Sequence, residues 1–293
     1  MSTAEKTKLS PNAYKSDLKP IWCPGCGDFG VLASLYRALS EMELDPANTV
    51  IVSGIGCSSR LPHFVSTYGF HSLHGRPLPI AMGVKLANPE LTVIAVGGDG
   101  DGFAIGAGHF PHAARRNIDI TYLVMDNEIY GLTKGQASPT SSFGQKAPST
   151  PYGNMEEPLN TLGFAIASGA SFVARGASFN TKALTELIVQ AVEHKGFSFV
   201  DALSPCIMFN NHQEEWKQTV TDVAPDHDVT DKAAAFDLAI RGGFSLGIVY
   251  KELRRTLDDK YRDLAERAKA STIDEMIDAF SARKGAAIGK PIT

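Results

Sequence analysis

Cys23 and Cys26 stand close together in "IWCPGCGDFG", and Cys57 and Cys206 complete the four cysteines of the chain. Such a set can form disulfides, a redox dithiol, a four-thiolate zinc site or half or all of the ligands of an iron–sulfur cluster, and "CPGC" alone does not choose. In a reducing compartment, thiolates are favoured over disulfides. A second pair of reactive side chains, Asp99 and Asp101, lies in "VIAVGGDGDGFAIG". A glycine-rich strand-to-helix turn commonly receives phosphate, yet this one holds two carboxylates and no lysine. At about 4 Å and an effective dielectric near 20, each like-charge contact with a diphosphate costs roughly 4 kcal/mol. A divalent cation bridging carboxylate and phosphate oxygens reverses that sign. Magnesium, which prefers a few oxygen ligands plus substrate phosphates, suits the role. Asn127 in "MDNEIYG", 28 residues after Asp99, is the expected second ligand.

These residues need elements that bring them together. "FGVLASLYRALSEM" (29–42) has helical spacing, "NTVIVSGIG" (48–56) is a β-branched run, and "PLPIAMGVKLAN" (77–88) reads as a helix opened by proline. "LTVIAVGGDGDG" (91–102) is a buried strand entering the turn. "FAIGAGHFPHAARRN" (103–117) suits one helix kinked at Pro111. The strand "DITYLVMDN" (119–127), the helix 181–195 and the strand "FSFVDAL" (197–203) follow. Continuous apolar strands alternating with helices predict an α/β fold, a mostly parallel sheet with helices on both faces. In such sheets ligands bind at the carboxyl ends of the strands. "GIGCSSR", "GGDGDG" and "DNEIYGLTKGQ" each fall just after a strand, and Cys206 follows another. Residues 128–158 read as one long loop. The expected organisation is a flexible arm at 1–20, a cofactor domain at 21–206 and a C-terminal extension at 207–293. That extension is irregular over 210–250, with a charged helix at 250–270.

Composition bounds the rest. With 43% hydrophobic and 20% charged residues a sizeable core is expected. A net charge of −4 argues against nonspecific nucleic-acid binding. No apolar run reaches membrane-spanning length, and the polar N-terminus lacks a signal-peptide core, so a cytoplasmic protein is expected.

"GDG" followed by Asn127 resembles the thiamine-diphosphate motif. The wider text, "WCPGCG…GIGCSSR…GGDGDGFAIGAGHFPHAARRN…DNEIYGLTKGQ", resembles the β subunit of 2-oxoacid:ferredoxin oxidoreductases over about residues 20–210, most like those acting on 2-oxoglutarate. The resemblance implies a thiamine-diphosphate-binding fold with Asp99, Asn127 and the backbone carbonyl of Ile129 on magnesium. It places Ile55, Gly56, Cys57, Ser58 and His74 beside the cofactor, with Gly98, Gly100 and Asp101. The stretch "IYGLTKGQ" (129–136), with Tyr130, Gly131, Leu132 and Thr133, would line the diphosphate and reacting ring. Asp126 stands where many thiamine enzymes have an asparagine. Cys23, Cys26, Cys57 and Cys206 match the ligands of one 4Fe–4S cluster.

The implied reaction is decarboxylation of a 2-oxo acid on thiamine diphosphate. Electrons leave singly through the cluster to ferredoxin, and the acyl group passes to coenzyme A. For 2-oxoglutarate the product is succinyl-CoA, and the sequence does not fix the physiological direction. The pyrimidine-binding domain and its glutamate are missing here and would belong to an α subunit, in an (αβ)2 assembly, leaving this chain inactive alone. No side chain of this chain is assigned to bond chemistry. Arg60, in "CSSRLPHF", is a candidate for pairing with the distal carboxylate of 2-oxoglutarate, or an ordinary surface or interface arginine. A pyruvate-specific or broad-specificity oxidoreductase is the nearest alternative; a non-oxidative thiamine decarboxylase or lyase and a zinc-binding scaffold are more distant ones.

Overall fold

The computed structural model describes residues 9–269, 272–275 and 277. The strands are β1 (Thr49–Ser53), β2 (Tyr68–His71), β3 (Thr92–Gly98), β4 (Ile120–Asp126), β5 (Phe172–Ala177), β6 (Phe197–Leu203), β7 (Thr221–Asp222) and β8 (Ser245–Lys251). The helices are α1 (Asp28–Glu41), α2 (Pro77–Ala87), α3 (Asp99–Phe103), α4 (Phe110–Arg116), α5 (Thr161–Ala167), α6 (Thr181–Glu193), α7 (Gln213–Thr219), α8 (Lys232–Ile240) and α9 (Leu257–Lys269). The strands form one sheet in the order β2-β1-β3-β4-β6-β5-β8-β7. Every neighbouring pair is parallel except β5 with β8.

Central strands β4 and β6 are buried along their whole length, because helices cover both faces. On one face α1 packs against α6, burying Val31, Leu35 and Leu39 against Leu184, Ile188 and Ala191. On the other, α2, α4, α5 and α8 bury Leu78, Phe110, Ile166 and Ala235. Each fully buried large apolar side chain contributes roughly 1.5–3 kcal/mol. The parallel register matters most for function. Gly98 pairs with Met125 and Asp126 with Leu203, so the ends of β3, β4 and β6 share one rim.

Several local expectations change. The single helix expected over 103–117 is two elements: α3 ends at Phe103, and Pro111 lies at the start of α4, not at a kink. Proline needs no amide hydrogen bond in a first turn, so it begins this helix. Residues 210–250 contain α7, β7, α8 and the start of β8, and the charged helix starts at Leu257, not at 250. The leading segment is anchored from Pro11 onward. Tyr14 is fully buried, its hydroxyl donates to the Leu44 carbonyl at 2.6 Å, and Lys15 bridges Val65. Residues 1–8 of the expected arm, and most of the expected extension beyond Lys269, lie outside the described residues. Among the described residues no helix is long and apolar enough to cross a membrane.

Candidate cofactor cleft and cysteine cavity

β3 runs directly into α3, which puts Asp99 at the rim, only 1% exposed. Its Oδ2 accepts from the Thr140 hydroxyl at 2.9 Å. Burial outweighs this and the other hydrogen bonds, pushing the carboxyl up to about 6. The same Thr140 oxygen lies 2.9 Å from Oδ1 of Asp126, the last residue of β4. A hydroxyl carries one hydrogen, so one of these two contacts needs a proton from a carboxyl. Burial, then the charge of Asp99, holds Asp126 well above the usual carboxylate range.

Asp101 does a different job. Its Oδ1 accepts from the amides of Ile55 at 2.9 Å and Gly75 at 2.8 Å. His74 Nδ1 is 3.0 Å from the same oxygen, close enough for a charge contact but not aligned as a hydrogen bond. One carboxylate thus ties the glycine–aspartate turn to the loops after β1 and β2. Gly54 makes room for it: a Cβ there would lie 2.0 Å from Asp101 Oδ2.

After β4 the chain turns sharply. Asn127 Oδ1 accepts from the Ile129 amide at 3.0 Å, and Asn210 donates to the Asn127 carbonyl at 2.9 Å. Glu128 has φ 55, a left-handed conformation costing a non-glycine residue on the order of 1 kcal/mol or more. Hydrogen bonds from its amide to Asp126 Oδ1, and from Ser141 to its carbonyl, hold it there. Burial pushes the Glu128 carboxyl up to about 8. The Tyr130 hydroxyl reaches back to the Gly100 carbonyl at 3.1 Å. Only glycine fits at 100, since a Cβ would sit 2.3 Å from the Tyr130 ring.

These segments enclose a cleft of about 480 Å³. Of the residues expected around the cofactor, Ile55, Gly56, Cys57, Ser58, His74, Gly98, Asp99, Gly100, Asp101, Asn127, Ile129, Tyr130, Gly131, Leu132, Thr133 and Gln136 line it, whereas Lys134 faces the neighbouring cysteine cavity. Gln136 also bonds Thr133. Sequence reasoning missed Thr140, Ser141 and Asn210, and Ser138, whose Oγ lies 3.4 Å from the Thr140 hydroxyl and 3.3 Å from that of Ser141. The one available signal was the unusually long loop over 128–158, which carries three of them.

Beside the cleft lies a smaller cavity of about 150 Å³ lined by Cys23, Cys26, Cys57 and Cys206, all free thiols. Two ties bring their loops together. Trp22 Nε1 donates to the Cys57 carbonyl at 2.7 Å, and the Gly27 amide donates to the Pro205 carbonyl at 3.2 Å. Gly131 leaves the space open, for a Cβ there would lie 3.5 Å from Cys206 Sγ and 3.7 Å from Cys57 Sγ. Burial, then the charge of Asp28, pushes the Cys57 thiol up to about 11 and the Cys26 thiol higher still. A cationic occupant would reverse that direction. Among the described residues no three His, Cys, Asp or Glu side chains are grouped to hold a single metal ion. The two cavities share Cys57, Asn127, Gly131 and Leu132 as a common wall. Arg60 stands on the wall of the cysteine cavity and does not line the cleft.

The rim site on a parallel sheet, with its glycine–aspartate turn, defines a thiamine-cofactor domain. Residues 54–202 accordingly match the thiamine pyrophosphate enzyme C-terminal binding domain, and residues 206–266 match the C-terminal region of pyruvate ferredoxin oxidoreductase β subunits. The chain is 43% identical to the β subunit of 2-oxoacid:ferredoxin oxidoreductase 1 from Aeropyrum pernix, over 89% of this chain and 86% of that protein. It is 41% identical to the 2-oxoglutarate oxidoreductase subunit KorB of Mycobacterium tuberculosis, over 80% of this chain and 65% of that protein. A solved structure of 2-oxoglutarate:ferredoxin oxidoreductase from Magnetococcus marinus, with 2-oxoglutarate, coenzyme A and succinyl-CoA bound, superposes with a TM-score of 0.89. It is 43% identical, and the match covers 95% of this chain and 97% of that one. This chain belongs to the family of 2-oxoacid:ferredoxin oxidoreductase β subunits.

Proposed function

We propose that this chain is the β subunit of a 2-oxoglutarate:ferredoxin oxidoreductase that forms succinyl-CoA and carbon dioxide. The observation that carries this reading is the wall common to the cleft and the cysteine cavity, built around Cys57. Asp99, Asn127 and the Ile129 carbonyl would hold magnesium, which neutralises the diphosphate that the buried carboxylate would otherwise repel. Thiamine diphosphate, when bound, supplies the electron sink for decarboxylation of the 2-oxo acid. Asp101 holds the loops carrying Ile55 and His74 against that cofactor. Tyr130 fixes the diphosphate turn from the opposite side.

Cys23, Cys26, Cys57 and Cys206 would ligate one 4Fe–4S cluster, the group that accepts single electrons. Support comes from the four cysteines lining one cavity beside the cleft and from the family to which the chain belongs. An α subunit supplies the pyrimidine-binding domain and its glutamate, in an (αβ)2 assembly of the cytoplasm. Ferredoxin takes the electrons, and coenzyme A takes the acyl group. Arg60, placed beside the sulfurs, fits recognition of a distal substrate carboxylate less well than a position within the cleft would.

The test is co-purification with the α subunit and assay of viologen reduction with a panel of 2-oxo acids and coenzyme A. Reduction dependent on 2-oxoglutarate is expected, with the β subunit alone inactive. The match of residues 206–266 to a pyruvate ferredoxin oxidoreductase region favours a second reading, a pyruvate or broad-specificity enzyme. A preference for pyruvate in the same panel would establish it over the first.

A further inference from the structure

Asn210 lines neither cavity, yet it is bonded to a wall residue of each. The ladder between β4 and β6 closes where the Ser204 amide donates to the Asp126 carbonyl at 2.7 Å. Past that point each strand runs into a wall, β4 into Asn127 of the cleft and β6 into Cys206 of the cysteine cavity. Asn210 rejoins them. Its amide donates to the Cys206 carbonyl at 2.9 Å and closes a turn over 206–210. Its side-chain Nδ2 donates to the Asn127 carbonyl, also at 2.9 Å. The residue is 7% exposed. Phe209 meets the far end of the same wall. Gly135 has φ 96, and a Cβ there would lie 3.0 Å from the Phe209 ring. The turn therefore grips segment 127–136 at both ends, and that segment supplies Asn127, Tyr130 and Gln136 to the cleft. The bond to Cys206 is enough to close the turn. The reach to Asn127 does something more, because it joins the two sites.

We propose that Asn210 is a positioning residue that couples the cleft to the cysteine cavity, so that filling the cleft steadies the loop carrying Cys206. The proposal rests on the two-cofactor reading above. A metal held by Asn127 and the Ile129 carbonyl restrains the Asn127 backbone. The planar amide of Asn210 carries that restraint to the Cys206 turn. Coupling between two sites is reciprocal, so a group held by the cysteines steadies the cleft wall in return.

The test uses the complete complex with its α subunit and follows iron release to a ferrous chelator, with and without magnesium and thiamine diphosphate. In the unaltered enzyme the filled cleft is expected to slow release about two- to tenfold, the range set by one net hydrogen bond. Asn210→Ala removes the reach to Asn127 and leaves the main-chain bond of the turn. Asn210→Asp keeps the shape but puts an acceptor where the donor was. Both are expected to bind thiamine diphosphate in calorimetry, yet to release iron at one rate whether the cleft is filled or empty. A wild-type degree of protection in both variants, even with faster release overall, would overturn the proposal and leave Asn210 a brace of its own turn. An unaltered enzyme whose iron is not protected by the cofactor would overturn it as well, and so would failure of both variants to bind thiamine diphosphate. An unaltered complex that holds no iron or takes up no thiamine diphosphate would instead defeat the two-cofactor reading, and the proposal with it.

Discussion

The indole Nε1 of Trp22 donates to the carbonyl of Cys57 at 2.7 Å, joining residues 35 positions apart. The ring is 7% exposed and meets Phe29 and Phe64 edge-on. This contact carries the CPGC hairpin to the end of β1, where the cleft and the cysteine cavity meet.

Replacing Trp22 by Phe keeps an aromatic body but removes the donor. The part-buried Cys57 carbonyl keeps the Arg60 amide at 3.2 Å but loses the indole, costing about 0.5–1.5 kcal/mol. The variant is expected to fold, melt lower and lose iron faster in air. Iron per chain and the rate of visible bleaching check this; iron retention equal to wild type would count against the tie.

Gly131→Ala probes the cavity directly. The added methyl lies in ordinary contact range of two sulfurs, so the fold is expected to survive. Space for a cluster is not. Near-native circular dichroism with little bound iron is the expected result, and full iron loading would show that Gly131 does not keep that space open.

The two proposed cofactor sites should be separable. Asp99 is buried and bonded to Thr140, on the cleft side of the shared wall. Asp99→Asn is expected to weaken magnesium-dependent thiamine diphosphate binding at least about tenfold, or ~1.4 kcal/mol, while iron content stays at the wild-type level. Calorimetry and iron analysis on one sample decide it. Loss of both groups together would mean that Asp99 supports the whole rim.

Stability should fall in mild acid for a reason outside the site. His194 is buried, and its Nε2 lies 2.8 Å from the Ser171 hydroxyl. Burial, then Lys251, lowers its pKa from 6.5 to about 4. Between those values the unfolded chain binds a proton that the folded chain refuses. The associated stability is therefore complete above pH 6.5 and is lost as pH falls toward 4, on the order of 2–3 kcal/mol. His194→Gln should flatten that slope, measured as unfolding free energy at pH 7 and pH 5. An unchanged slope would assign it to other groups.

The strands that build the site were legible because they are short, continuous apolar runs ending in glycine or acidic turns. β1, β3, β4 and β6 all read this way, and so did the residues at their ends. β2 was not legible: its four residues are exposed and lack an apolar run. α8 and β8 were hidden by half-buried, mixed composition, and β8 owes its strand form to pairing with β5. The hydrogen bonds from Thr140, Asn210 and Ser204 have no local signature. Each joins distant segments, so only the folded rim reveals them. Glycines were read as turn formers, whereas Gly54, Gly100 and Gly131 serve by leaving space for side chains elsewhere.

The most direct measurement is made on the anaerobic complex of this chain with its α subunit, loaded with thiamine diphosphate and magnesium, in the absence of ferredoxin. Addition of 2-oxoglutarate and coenzyme A should bleach the iron–sulfur absorption and produce the paramagnetic signal of a reduced cluster, with carbon dioxide released. A spectrum unmoved by substrate while carbon dioxide still appears would contradict electron passage across the wall at Cys57.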